Sequence, residues 1–83
     1  MHYQEVTGPY AIHYGWYDAV GPFVLVYDHD FEEPEVDLDA RWDGIGVADV
    51  IAIARRYGAV KVEARMMAAP AALRLGQREE SVK

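Results

Sequence analysis

Residues 10–17, YAIHYGWY, carry an apolar or aromatic side chain at every second position. In an extended chain Tyr10, Ile12, Tyr14 and Trp16 share one face, and Ala11, His13, Gly15 and Tyr17 the other. A period of two gives a helix no continuous apolar stripe, so this segment commits its surroundings to a sheet. DAVGP follows, with Gly21 and Pro22 as turn residues. Residues 23–27, FVLVY, are apolar on both faces and rich in β-formers, as in a central strand. The two segments predict a β-hairpin with a five-residue loop.

A third alternation starts at Val36. Val36, Leu38, Ala40 and Trp42 oppose Asp37, Asp39, Arg41 and Asp43, which predicts a strand over 36–42. Residues 28–35, interrupted by Pro34, form the connecting loop. DGIG then breaks the strand, and the period changes. Val47, Val50, Ile51, Ala54 and Tyr57 fall on one helical stripe that Ile53 widens, while Asp49, Ala52, Arg55 and Arg56 face away. Asp43 is the candidate cap at the start of this helix. Gly58 stands where a helix ends in a left-handed residue, and Arg55 and Arg56 complement the dipole of the last turn.

Residues 60–67, VKVEARMM, alternate again, with Val60, Val62, Ala64 and Met66 inward, and predict a fourth strand that ends before Pro70. Residues 71–75, AALRL, read as a helical turn or docking segment, and 76–83 as a flexible tail. The expected architecture is a single α+β domain over residues 1–83. It has two layers, an antiparallel sheet of about four strands with one helix packed on it, in the order β-β-β-α-β.

Several classes of function are poorly served by this composition. The 83 residues include no cysteine, which removes disulfides and thiolate metal sites. Ser81 and Thr7 are the only hydroxyl nucleophiles of their kinds, and neither sits in a strand-turn-helix elbow. An enzyme is therefore not expected. No apolar run reaches the roughly 18 residues of a membrane span, and the first ten residues lack the form of a signal peptide. The expected location is the cytoplasm. GIGVAD at 44–49 lacks the third glycine of a dinucleotide fingerprint and reads as a tight turn into the helix. DHDFEE puts Asp28, Asp30 and Glu32 at the first three ligand positions of an EF-hand loop. Glu33 then occupies the position that requires glycine, so neither a metal nor a cofactor is expected.

Charge is the remaining signal. Residues 28–39 hold seven carboxylates in twelve positions. Residues 1–40 carry nine acids and no Lys or Arg, whereas residues 41–83 carry all eight basic residues against five acids. That asymmetry disfavours direct binding of nucleic acid by the first half and favours a basic protein partner. A solvated run that only aids solubility is the alternative use of such a segment. Asp28, Asp30, Glu32, Glu33, Glu35, Asp37 and Asp39 are the candidate charged contacts. Tyr14, Trp16 and Tyr17 are the candidate anchors, because Tyr and Trp dominate interface energetics. On a strand, Asp37 and Asp39 stand about 6.5–7 Å apart, close to the interval between successive phosphates on a DNA strand.

A short, acidic chain of compact α+β character without catalytic residues resembles the small inhibitors that phages encode against host defence or transcription, such as anti-CRISPR and anti-restriction proteins. Several of those are DNA mimics. The class shares no motif, so the resemblance transfers no individual residue. It implies a non-enzymatic inhibitor whose acidic surface occupies the basic, nucleic-acid-binding surface of a protein partner. Two other readings remain open at this point. One is a small homo-oligomeric structural or assembly protein that uses an exposed sheet edge and Met67 with the AALRL segment as its contact. The other is a divalent-metal-binding module.

Overall fold

The computed structural model describes residues 1–30 and 32–68. The expectations for AALRL and for the tail at 76–83 lie outside them. Four strands, β1 (His2–Thr7), β2 (Tyr10–Tyr17), β3 (Gly21–Asp28) and β4 (Val36–Asp39), form one antiparallel sheet in the order β1-β2-β3-β4. Three helices follow, α1 (Ala40–Asp43), α2 (Val47–Arg56) and α3 (Val62–Met67). The α+β class and the four-stranded sheet are as expected. The element order differs, being four strands and then helices.

The unexpected strand is β1. Gly8 has φ +54 and Pro9 a fixed negative φ, the sign pattern of a type II′ hairpin turn. Thr7 and Tyr10 close the two-residue loop, and the register runs back to His2 opposite Gly15. The pairing extends one step further. Trp16 donates its backbone N–H to the Met1 carbonyl at 2.8 Å, and the Met1 amino group donates to the Trp16 carbonyl at 2.9 Å. Gly15 permits this close approach, with φ +147 and a Met1 carbonyl standing where a Cβ would lie.

The β2–β3 loop is three residues, not five, since Tyr17 pairs directly with Gly21. Ala19 adopts φ +64 there, a cost that the two flanking strands impose. The strand expected at 36–42 stops at Asp39. The Asp39 carboxylate accepts the Trp42 N–H at 2.8 Å and so caps α1, while the Asp43 carboxylate accepts the Asp39 N–H at 3.0 Å. Asp43 therefore belongs to α1 and does not cap α2. Gly46 is the N-cap of α2, and the Asp49 carboxylate in the first turn reaches back to accept the Gly46 N–H at 2.9 Å. Trp42, expected to anchor the strand, is 79% exposed, with the Arg41 guanidinium 5.6 Å from its ring centre.

Helix α2 packs the stripe read from the sequence. Val50 and Ala54 are buried, with Val47, Ile51, Ile53 and Tyr57 packed against the core. Gly58 ends it at φ +105. The Gly58 N–H donates to the Arg55 carbonyl at 3.0 Å and the Ala59 N–H to the Ala54 carbonyl at 3.0 Å, the bond pattern of a Schellman motif.

The strand expected at 60–67 is helix α3. Its alternating residues do not share a face: Val60 is 84% exposed and Ala64 is also exposed. Buried are Ala59, Val62 and Met66, spaced three and four apart. Ala, Glu, Arg and Met favour helix, and a period-two reading and a helical one coincide at Val62 and Met66. The core of Ile12, Tyr14, Trp16, Val24, Val26, Val50, Val62 and Met66 thus lies between one face of the sheet and α2 with α3.

Buried Glu5 joins these two layers. Its carboxylate accepts the Tyr14 hydroxyl at 2.6 Å, the Val60 N–H at 2.9 Å and the Lys61 N–H at 3.1 Å. Arg65 donates to the Tyr14 hydroxyl oxygen at 3.2 Å and to the Gln4 carbonyl at 3.3 Å. Burial pushes the Glu5 carboxyl up, but the Tyr14, Val60 and Lys61 donors and the Arg65 charge outweigh it and leave it below its ordinary value. Burial, then the Glu5 contact, pushes the Tyr14 phenol up to about 12.

Three outcomes follow. Gly15→Ala must displace the Met1 carbonyl, and urea denaturation should show a loss of about 1–3 kcal/mol. Glu5→Gln removes the charge on which three donors converge and should cost about 2–3 kcal/mol in the same assay. Because the Glu5 pKa is lowered on folding, its contribution is present above the unfolded value near 4.5 and is lost as pH falls through the folded value. The wild-type chain should therefore lose stability on acidification below about pH 4.5, and Glu5→Gln should lack that component.

Candidate functional site

The helices cover one face of the sheet, and strand register assigns the other. His2, Gln4 and Val6 of β1 lie beside Ala11, His13 and Tyr17 of β2, then Phe23, Leu25 and Tyr27 of β3. Asp37 pairs with Leu25 and Asp39 with Phe23, which puts both carboxylates on this open face at the β4 edge.

Five side chains of the open face, His2, His13, Tyr17, Phe23 and Tyr27, carry rings, and contacts between those rings order it. Tyr17 stacks on Phe23 with ring centres 3.9 Å apart and planes 9° from parallel. Phe23 is fully buried yet stands outside the core cluster, because Tyr17 and the edge of His2, at 5.6 Å, cover it from the solvent side. Tyr27 meets His13 edge-on at 5.9 Å, and His13 Nδ1 lies 2.8 Å from His2 Nε2. Burial, and next the Asp37 and Asp39 charges, push the Tyr17 phenol up. Burial, and next the His2 charge, push the His13 imidazole down.

The ten residues expected to make contacts do not form one surface. Tyr14 and Trp16 lie in the core facing the helices, so neither presents an anchoring ring to a partner. The period-two pattern assigned them to one face but not to the covered one. Tyr17, on the opposite face, is 44% exposed. Among the acids, Asp37 and Asp39 reach the open face. Asp28 pairs with Tyr10 at the helix-facing side of β3, and its carboxylate accepts the Asp30 N–H at 3.0 Å. Glu35 stands against the Tyr57 hydroxyl, which its charge helps to hold above the ordinary phenol value, after burial. Glu32 and Glu33 are exposed on the loop. Asp39 also serves as the α1 cap, so Asp37 is the open-face acid without that structural duty.

His13, Tyr27, Leu25 and His2 were not among the expected contacts. The alternation of β2 carried the signal for His13, but Tyr27 and Leu25 sat in a run read as apolar on both faces. Their exposure follows from the helices covering one side alone.

The described basic residues are segregated. Arg55, Arg56, Lys61 and Arg65 lie on or beside α2 and α3, and Arg41 on α1, whereas the four strands carry no Lys or Arg. Arg55 and Glu63 approach to 3.8 Å with both side chains mostly exposed, a pair that contributes little. Among the described residues no group of three or more His, Cys, Asp or Glu is placed to hold a metal ion, and no helix is long and apolar enough to cross a membrane. No family model, curated protein or solved structure matches the chain.

Proposed function

We propose that the chain is a non-enzymatic binding protein whose open sheet face docks on a basic protein surface, one built to hold nucleic acid. The observation that carries this reading is the β3–β4 register, which sets Asp37 and Asp39 beside Tyr17, Leu25 and Tyr27 on an uncovered face. Rigid aromatic rings supply desolvated contact area, and the carboxylates supply complementarity to Lys and Arg. Asp37 and Asp39 are two residues apart on one strand, so their spacing of about 6.5–7 Å is set by the backbone. The exposed Asp30, Glu32 and Glu33 extend the negative field beyond the strand and increase the rate of encounter with a basic groove. Occupation of such a groove would block its nucleic acid, which is the inhibitory action that the resemblance to phage-encoded DNA mimics implies.

The test separates the strand acid from the loop acids. The wild-type chain should capture its partner from host lysate, and added duplex DNA should compete with that capture. Asp37→Lys should reduce capture of the same partner by at least about tenfold, since it places like charge against the basic groove. Asp30→Lys with Glu33→Lys should chiefly slow association and reduce its salt dependence. A folded Asp37→Lys variant that captures the partner undiminished would refute the proposal.

A further inference from the structure

His2 and His13 stand on adjacent strands of the open face, with His2 Nε2 2.8 Å from His13 Nδ1. From this geometry we propose that the two imidazoles chelate one late first-row divalent cation, Zn²⁺, Ni²⁺ or Cu²⁺, with water completing its coordination. This site is independent of Asp37 and Tyr17, so it stands or fails apart from the docking proposal.

Two observations make the pair a chelate and not two surface histidines. The first is convergence. Metal–imidazole bonds of about 2.0–2.1 Å place the two donor nitrogens about 2.9 Å apart at the right angle of tetragonal Ni²⁺ or Cu²⁺, and about 3.3 Å apart at the tetrahedral angle of Zn²⁺. The nitrogens stand 2.8 Å apart in the ion-free pair, so chelation changes their separation by a few tenths of an ångström and turns each ring until its lone pair leaves the line between them. The second is preorganisation. Tyr27 packs edge-on against His13, and Phe23 meets His2 at 5.6 Å and 72°, so ring contacts restrict both imidazoles before any ion arrives. The Met1–Trp16 backbone pairing holds the start of β1 against β2.

The surroundings suit a cation. The four strands carry no Lys or Arg, and Asp37 and Asp39 lie on the same face. The Met1 ammonium, next to His2 in the chain, is engaged by the Trp16 carbonyl at 2.9 Å. In the ion-free pair one ring donates its N–H to the other. Binding needs a lone pair from both facing nitrogens, so the donating ring moves that proton to its far nitrogen. Two neutral rings thus bind the ion without net proton release, and protonation of either ring opposes binding.

The experiment is calorimetric titration of the tag-free, full chain with ZnCl₂ or NiCl₂ at pH 7.5 and at pH 5. Expected at pH 7.5 is one saturable site per chain, lost at pH 5. His2→Gln should abolish it while leaving the core untouched, His13→Gln should do the same, and His29→Gln should leave it intact. Imidazole ¹⁵N shifts should report the ion at both rings in the wild-type chain, a readout that needs no variant to fold. Absence of saturable binding at pH 7.5, or binding that survives His2→Gln, would overturn the proposal. Loss of the site in His29→Gln, or in Asp28→Asn with Asp30→Asn, would also overturn it by placing the ion in the acidic loop.

Discussion

One buried carboxylate determines how the two layers of this protein meet. Glu5 projects from β1 toward the helices and accepts hydrogen bonds from Tyr14, Val60 and Lys61. A lone ionised carboxylate at this depth would carry a large desolvation cost. Here that cost is offset by converging donors, and Arg65 closes the network from the far side through Tyr14 and Gln4. The two backbone donors immediately precede α3. The same contact therefore satisfies the charge, places the start of the last helix and aims Val62 and Met66 into the core. Thr7 adds a second tie between β1 and the end of α2, donating its hydroxyl to the Tyr57 carbonyl at 2.7 Å.

With the helical layer fixed on one side, the opposite face of a four-stranded sheet is left to solvent. Charge follows the same division, since acids dominate the strands and the β3–β4 loop while the described Lys and Arg residues belong to the helices and their flanks. The open face contains Leu25 together with Tyr17, Phe23, His13, His2 and Tyr27, whose rings are held by mutual contacts. A surface with this much aromatic area and two strand-borne carboxylates has the composition of an interface more than of a solvated exterior. The binding reading of the acidic half thus rests on β4 and the sheet face, and less on the loop that holds most of the carboxylates.

The alternation at 10–17 and 36–39 and the stripe of α2 were legible because each offered one period only. β1 was missed although Gly8-Pro9 is a strong turn pair, because His2–Thr7 buries just one side chain and that one is a glutamate. No apolar alternation could announce it. Residues 60–67 misled for a different reason. Val62 and Met66 satisfy both a strand and a helix, and the deciding residues were Ala59, buried one step before the window, and Glu5, more than fifty positions away. The end of the β4 strand at Asp39 turned on a side-chain cap, which alternation does not encode. As for the site, the pattern correctly separated Tyr17 from Tyr14 and Trp16, but which face would be covered depended on where α2 and α3 pack. That placement is tertiary.

Native-state amide hydrogen exchange at Val60 and Lys61 tests the central claim most directly. Both amides precede α3 and depend on Glu5 for their acceptor, so they should be protected in the wild-type chain. In Glu5→Gln their protection should fall well below that of the β2–β3 ladder amides. Rapid exchange at both positions in the wild-type chain, or protection unchanged in the variant, would contradict the account.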